Sequence, residues 1–205
     1  IRVADVDYNK EQIIKQMDEA AKAGAKIIVF PELCITGYTC SDLFLQDILL
    51  NGAKKALVEI AKQTKELDAL VFVGVPLAVG GELYNVAAAL NHGNILGFTT
   101  KSFLPNYGEF YEMRQFRPGP KKAETILFDG KEIPFGPQLL FVEKQMANLI
   151  VSAEICEDVW SPVPPSIEAA REGATVIVNC SASDETIGKA SYREALISGQ
   201  SARLI

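Results

Sequence analysis

An amphipathic helical stretch, a glycine or polar stop, and a short run that is apolar at nearly every residue recur in that order three times along this chain. Residues 10–23 pass through Gly24 into 26–30, residues 47–66 pass through Leu67-Asp68 into 69–75, and residues 166–172 pass through Gly173 into 175–180. A strand that is apolar on both faces has to be covered on both, and helices placed between strands supply that cover. The pattern predicts an α/β fold. Residues 83–91 and 94–100 flank Asn91-His92-Gly93-Asn94, whose Asn and Gly accept the positive φ of a tight turn, so they predict a hairpin. Runs at 124–128, 138–143 and 147–155 continue as a meander, which calls for mixed pairing in one sheet or in two stacked sheets.

With 205 residues and 48% hydrophobic content, the chain can bury the core of one domain without disulfide staples. The net charge is −6, and lysines and arginines nowhere cluster with aromatics, which argues against a nucleic-acid groove or an anionic membrane surface. The four cysteines at 34, 40, 156 and 180 form no C-x-x-C pair, and a single histidine leaves no usual zinc set, so no metal site is expected. Neither a signal peptide nor an 18-residue apolar stretch is found, which predicts a cytoplasmic location with reduced thiols. The chain starts at Ile1 and stops inside the helical pattern 189–205, so it reads as part of a longer polypeptide, with each sheet incomplete.

Three reactive side chains sit where apolar runs end. Glu32 follows Lys26–Pro31, Lys101 follows Ile95–Thr100, and Cys156 closes Asn148–Ile155. A cysteine leaving a buried strand is placed for nucleophilic attack, with neighbouring backbone N–H groups free to face an oxyanion. It needs a base, and the only histidine, His92, falls in the hairpin turn, so the base is a carboxylate, Glu32, whose proton affinity burial would raise. Lys101 would stabilise both the thiolate and a tetrahedral intermediate. Each residue has an ordinary alternative: Glu32 beside a helix cap, Lys101 at an exposed strand end, Cys156 as a small core residue. The aperiodic stretch Pro105–Pro120, rich in aromatics and charges, follows Lys101 directly and reads as a long functional loop.

Phe30-Pro31-Glu32-Leu33, the segment Lys101–Glu109 and Ile155-Cys156-Glu157-Asp158 resemble, in order and spacing, the three signatures of the nitrilase, or carbon–nitrogen hydrolase, superfamily. The resemblance implies an α-β-β-α sandwich that assembles as a homo-oligomer. It also implies Glu32 as general base, Lys101 as cationic stabiliser, Cys156 as the nucleophile that becomes a thioester, and Glu109 as a second glutamate orienting the lysine. The flanking segments Cys34–Phe44, Tyr107–Phe116 and Asn179–Ser183 look like the glutaminase domains of glutamine-dependent NAD synthetases. That narrower likeness implies L-glutamine as substrate, with Tyr107 and Glu157 at its amino group and Ser183 and Lys189 near its carboxylate. Ordinary readings compete here too: an aromatic that packs, a charge at a helix start, a cap and a solvated lysine. No cofactor is implied for the hydrolysis. ATP and magnesium belong to a synthetase domain, acting on deamido-NAD, that these residues do not contain. A stand-alone amidase acting on another small amide and a catalytically silent interaction module remain as alternatives.

Overall fold

Asp5 opens the first helix by accepting the Tyr8 N–H at 3.1 Å, an N-cap bond that satisfies one of the helix's free amides. In the computed structural model, which describes residues 1–204 except 147, that helix is α1 (Val6–Lys22). Its inner face buries Asn9, Ile13 and Met17, each four residues from the last. Gly24, at φ +90°, then turns the chain into β1 (Ile27–Val29). The other elements are α2 (Asp47–Gln63), β2 (Leu70–Val79), β3 (Glu82–Asn91), β4 (Asn94–Thr100), β5 (Glu124–Phe128), β6 (Lys131–Gly136), β7 (Leu140–Val142), β8 (Ile150–Ile155), α3 (Pro165–Arg171), β9 (Val176–Cys180) and α4 (Lys189–Leu204). Among the described residues, no helix is long and apolar enough to cross a membrane.

The strands form a six-stranded sheet in the order β1-β2-β3-β4-β6-β5 and a three-stranded sheet in the order β7-β8-β9. Both are mixed: β1 with β2, β4 with β6 and β8 with β9 run parallel, and the remaining pairs run antiparallel. Strand alternation assigns the layers. Val71, Val73 and Val75 of β2, with Val86, Ala88 and Leu90 of β3, meet Met17, Leu57 and Ile60 of the helices. The alternate residues Phe72, Ala87 and Ala89 meet Val151, Ala153 and Ile155 of β8 and Val178 and Cys180 of β9. The helix α3 packs on β8, with α4 against α3. The result is a helix–sheet–sheet–helix sandwich of open sheets.

Three strand expectations needed adjustment. β2 runs on to Val79 and closes a second hairpin through Gly80-Gly81, both at positive φ. β6 was not anticipated, because Pro134 cannot donate to a ladder on both sides. In the structure Pro134 pairs with Thr125 of β5, while β4 reaches only Phe135 and Gly136, so the missing N–H disturbs nothing. β7 and β8 are shorter than the expected 138–143 and 147–155, and position 147 lies outside the described residues.

One glycine is demanded by the layering. A Cβ on Gly74 of β2 would stand 2.3 Å from the Leu33 N, 2.4 Å from the Pro31 O and 2.7 Å from the Glu32 carbonyl carbon. Those are backbone atoms of the turn that carries Glu32, so they cannot yield by rotating a side chain. Gly74→Ala is expected to destabilise the fold by about 1–3 kcal/mol, as overpacking does, and to displace Glu32. Denaturant unfolding together with an activity assay measures both effects.

Candidate active site

Beyond β1 the chain turns sharply at Pro31-Glu32-Leu33, with Leu33 at φ +50°, and points the Glu32 carboxylate between the sheets. Glu32 is 1% exposed. Its Oε1 accepts from Lys101 Nζ and Asn85 Nδ2, each at 2.7 Å, and its Oε2 accepts the Ala182 N–H at 3.2 Å. Lys101 leaves β4 with its N–H still donating to the Asn85 carbonyl at 3.0 Å, and its side chain is wholly buried. Its Nζ donates to Glu32 and, at 2.5 Å, to Glu112 Oε1. Burial by itself would lower the lysine's proton affinity, but Glu32 and Glu112 more than reverse it, so the ammonium is held charged. Burial raises the Glu112 carboxyl against the pull of Lys101, and Tyr38 Oη donates to its Oε1 at 2.7 Å.

Cys156 comes in from the other sheet, at the exit of β8, with its backbone at φ +44°. Burial, helped by the negative charge of Glu32, pushes its thiol up to about 11, while Lys101 pulls the other way. The segment after β9 joins the two halves: the Ser181 Oγ donates to the Cys156 sulfur at 3.4 Å, and the next residue, Ala182, donates its N–H to Glu32. Acid, ammonium and sulfur thus share one buried space. The cysteine's own N–H donates to Asn179 Oδ1 at 3.1 Å. Donors near this point include Lys101 Nζ and the N–H of Glu157, which lies in the first turn of the 3-10 helix Cys156–Trp160, where amides have no intrahelical partner.

At the rim, Tyr107 Oη donates to both oxygens of Glu157, at 2.9 and 3.0 Å. Lys189, the first residue of α4, pairs with Asp184 and lies over the rings of Phe110 and Trp160 at 5.7 and 5.6 Å. Ser183 stands beside Asp184, its Oγ donating to that residue's carbonyl at 3.5 Å. His92 is exposed in the β3–β4 turn at φ +45°, as expected. Glu109 requires correction. It is exposed, and among the described residues the carboxylates on Lys101 are Glu32 and Glu112. Both Glu109 and Glu112 lie in the one aperiodic loop, and only its folding shows that the 3-10 turn Glu112–Arg114 sends Glu112 inward.

Four further polar residues escaped the sequence reading. Asn85 carried a signal, being polar at an inward position of a buried strand. Asp158 and Asn179 stand inside segments that carry the family resemblance but were given no role there, and Asp184 carried no signal. A buried carboxylate salt-bridged to an ammonium beside a thiol can accept the thiol proton, stabilise an oxyanion and return the proton to a leaving group. Among the described residues, no group of three or more His, Cys, Asp or Glu is placed to hold a metal ion.

A profile of the carbon–nitrogen hydrolase family matches residues 1–201. The chain belongs to the carbon–nitrogen hydrolase family. This carbon–nitrogen hydrolase domain is 39% identical over 203 residues to the glutamine-dependent NAD(+) synthetase of Mycobacterium bovis, covering 99% of the chain and 30% of that protein. It is 36% identical over 195 residues to the enzyme of the same name from Aquifex aeolicus, covering 95% of the chain and 31% of the relative. The chain therefore spans about a third of the length of these relatives. The crystal structure of a glutamine-dependent NAD(+) synthetase from Cytophaga hutchinsonii superposes with a TM-score of 0.86 at 35% identity, over 97% of this chain and 32% of that one. An amidase from Nesterenkonia sp. has the same fold, with a TM-score of 0.72 at 22% identity, over 97% of this chain and 67% of the amidase.

Proposed function

We propose that this domain hydrolyses the side-chain amide of L-glutamine through a thioester on Cys156. In this reading the ammonia passes to a synthetase domain of the same polypeptide, where ATP and magnesium drive amidation of deamido-NAD to NAD. The observation that carries the chemistry is the buried Glu32–Lys101 pair joined through Ser181 and Ala182 to the Cys156 sulfur. The glutamine-dependent relatives, three times longer than this chain, support the substrate and the second domain.

Burial holds the Cys156 thiol up at about 11, so the neutral thiol is its resting form. The proton therefore leaves as the bond forms. Glu32 takes it while sulfur attacks the amide carbon, and the oxyanion rests on Lys101 Nζ and the Glu157 N–H. Glu32 then protonates the departing nitrogen, the C–N bond breaks and ammonia leaves. Water, deprotonated by Glu32, attacks the thioester, releasing glutamate and restoring the thiol. Glu157, braced by Tyr107, faces the substrate ammonium, and Lys189 with Ser183 receives its carboxylate, which replaces Asp184 on the lysine. The four buried free thiols suit a reducing compartment, the cytoplasm, and homo-oligomeric assembly belongs to the same reading.

A glutamine-like electrophile, such as a diazo ketone analogue, tests substrate and nucleophile together. Peptide mapping of the treated full-length protein is expected to find the adduct on Cys156 and its formation blocked by glutamine. Labelling at another residue would discard the nucleophile, and labelling that glutamine fails to block would discard the substrate.

A further inference from the structure

The two halves of the candidate site come from different sheets. Lys101 follows β4 of the six-stranded sheet, Cys156 follows β8 of the three-stranded sheet, and no backbone ladder joins those strands. Between them lie apolar contacts of Ala87, Ala89, Ala153 and Ile155, which are non-directional and fix spacing only through shape.

Besides the Ala182–Glu32 and Tyr107–Glu157 bonds, a third and fully buried link joins the segments that directly follow β4 and β8. The Asp158 carboxylate, with no exposed surface, accepts the Ser102 N–H at 3.0 Å and the Phe103 N–H at 2.9 Å on Oδ1, and the Ile155 N–H at 3.0 Å on Oδ2. Ser102 is the residue after Lys101, and Ile155 is the residue before Cys156. A single buried carboxyl group thus accepts from the backbone that follows Lys101 with one oxygen and from the backbone that precedes Cys156 with the other. Such bonds to an ionised acceptor are about twice as strong as neutral ones. They also brace the positive φ of Cys156, a conformation that persists only where its surroundings over-determine it. Burial pushes the Asp158 carboxyl up to about 7, while the N–H donors and Lys101 act to keep it ionised.

We propose that Asp158 is a positioning residue that sets the spacing and direction of the Lys101 ammonium relative to the Cys156 sulfur. The proposal rests on the roles given above to Lys101 and Cys156, and it adds a requirement for an acceptor at both oxygens. Asparagine has nearly the same volume but one acceptor, so Asp158→Asn has to turn an NH₂ group toward a backbone N–H on one side.

The test compares Asp158→Asn with the parent full-length protein in two assays, after thermal unfolding has established the folded fraction. In glutamine turnover, kcat is expected to fall about 100-fold, the scale of a misplaced reacting group, with KM changed by less than about threefold. In the second assay iodoacetamide alkylates Cys156 across a pH series. The ionisable groups around the thiol are Glu32, Lys101, Tyr38 and Tyr107; Lys101 is the one that favours the thiolate, so a lysine that drifts from the sulfur moves the half-maximal pH upward by about half a unit or more. If activity falls only as far as the folded fraction does and the alkylation midpoint stays put, Asp158 is a plain structural link and the proposal is overturned. Alkylation uses no glutamine, so a wrong substrate would leave the shifted midpoint intact. Should Asp158→Asn fail to fold, an amide-to-ester replacement at Phe103, made by incorporating the α-hydroxy acid, deletes one donor and keeps the acid. An upward midpoint in that protein supports the proposal, and an unchanged one overturns it.

Discussion

Cys156→Ala in the full-length protein is expected to lower glutamine-dependent product formation by about 10⁴-fold or more, as removal of a covalent nucleophile does, and to leave synthesis from added ammonium salts unchanged. The change removes one sulfur from a site that is 5% exposed and leaves the left-handed backbone of residue 156 in place. Its cost to the fold is therefore small, of the order of the cavity left by one atom, about 1 kcal/mol. Parallel assays with glutamine and with ammonium chloride separate the outcomes. Persisting glutamine hydrolysis would remove Cys156 from the role of nucleophile. Loss of both activities with a native melting profile would mean that the domain does more than supply ammonia.

Lys101→Met has the second large effect, and it falls on stability as well as catalysis. In the native protein Nζ lies 2.7 Å from Glu32 and 2.5 Å from Glu112, and the side chain has no solvent exposure. Methionine fills much of the space but leaves two carboxylates facing each other without a cation. Removing one partner of a buried ionic cluster costs about 3–5 kcal/mol, and that loss should appear as a lower denaturant midpoint at pH 7. The sign of the pH dependence follows from linkage. Burial and the Glu32 charge already raise Glu112 in the presence of Lys101, and without the lysine they raise Glu112 further. Carboxyls raised in the folded state above their unfolded values favour folding when protonated, so the variant should regain stability below about pH 4 and lose it as the pH rises through the raised values. In the parent, the folded lysine is raised above its ordinary value, so its contribution is fully present below about pH 10 and disappears only above that. Denaturant melts at pH 4, 7 and 9 distinguish the two curves. A variant with no deficit at pH 7 would show that the cluster is not the tightly charged group described.

Much of this was legible in one dimension because the physics involved is local. Helix period, glycine stops and doubly apolar runs predicted every helix–strand unit, since each depends on residues within a turn or two. Glu32, Lys101 and Cys156 were visible as reactive side chains where apolar runs stop. β6 was hidden by Pro134, whose penalty depends on which neighbours a strand has, and neighbours are a property of the sheet. The family resemblance implied Glu109 rather than Glu112 as the lysine's second carboxylate, and the aperiodic loop carries no phase from which the sequence could tell inward from outward.

The chain's own pattern of apolar and reactive residues determined the α/β class, the order of its elements and the three strand ends at which chemistry is available. Only the tertiary structure decided the rest: loop folding and strand pairing within a sheet put Glu112 on Lys101, Asn85 on Glu32 and Asn179 on the amide of Cys156, and the stacking of one sheet on the other made those ends meet, with Asp158 tying the two sheets together. The reason is range. Propensity and periodicity act over a few residues, whereas these contacts join groups separated by as many as 150 positions, and a hydrogen bond is satisfied or lost according to where the partner chain segment lies in space.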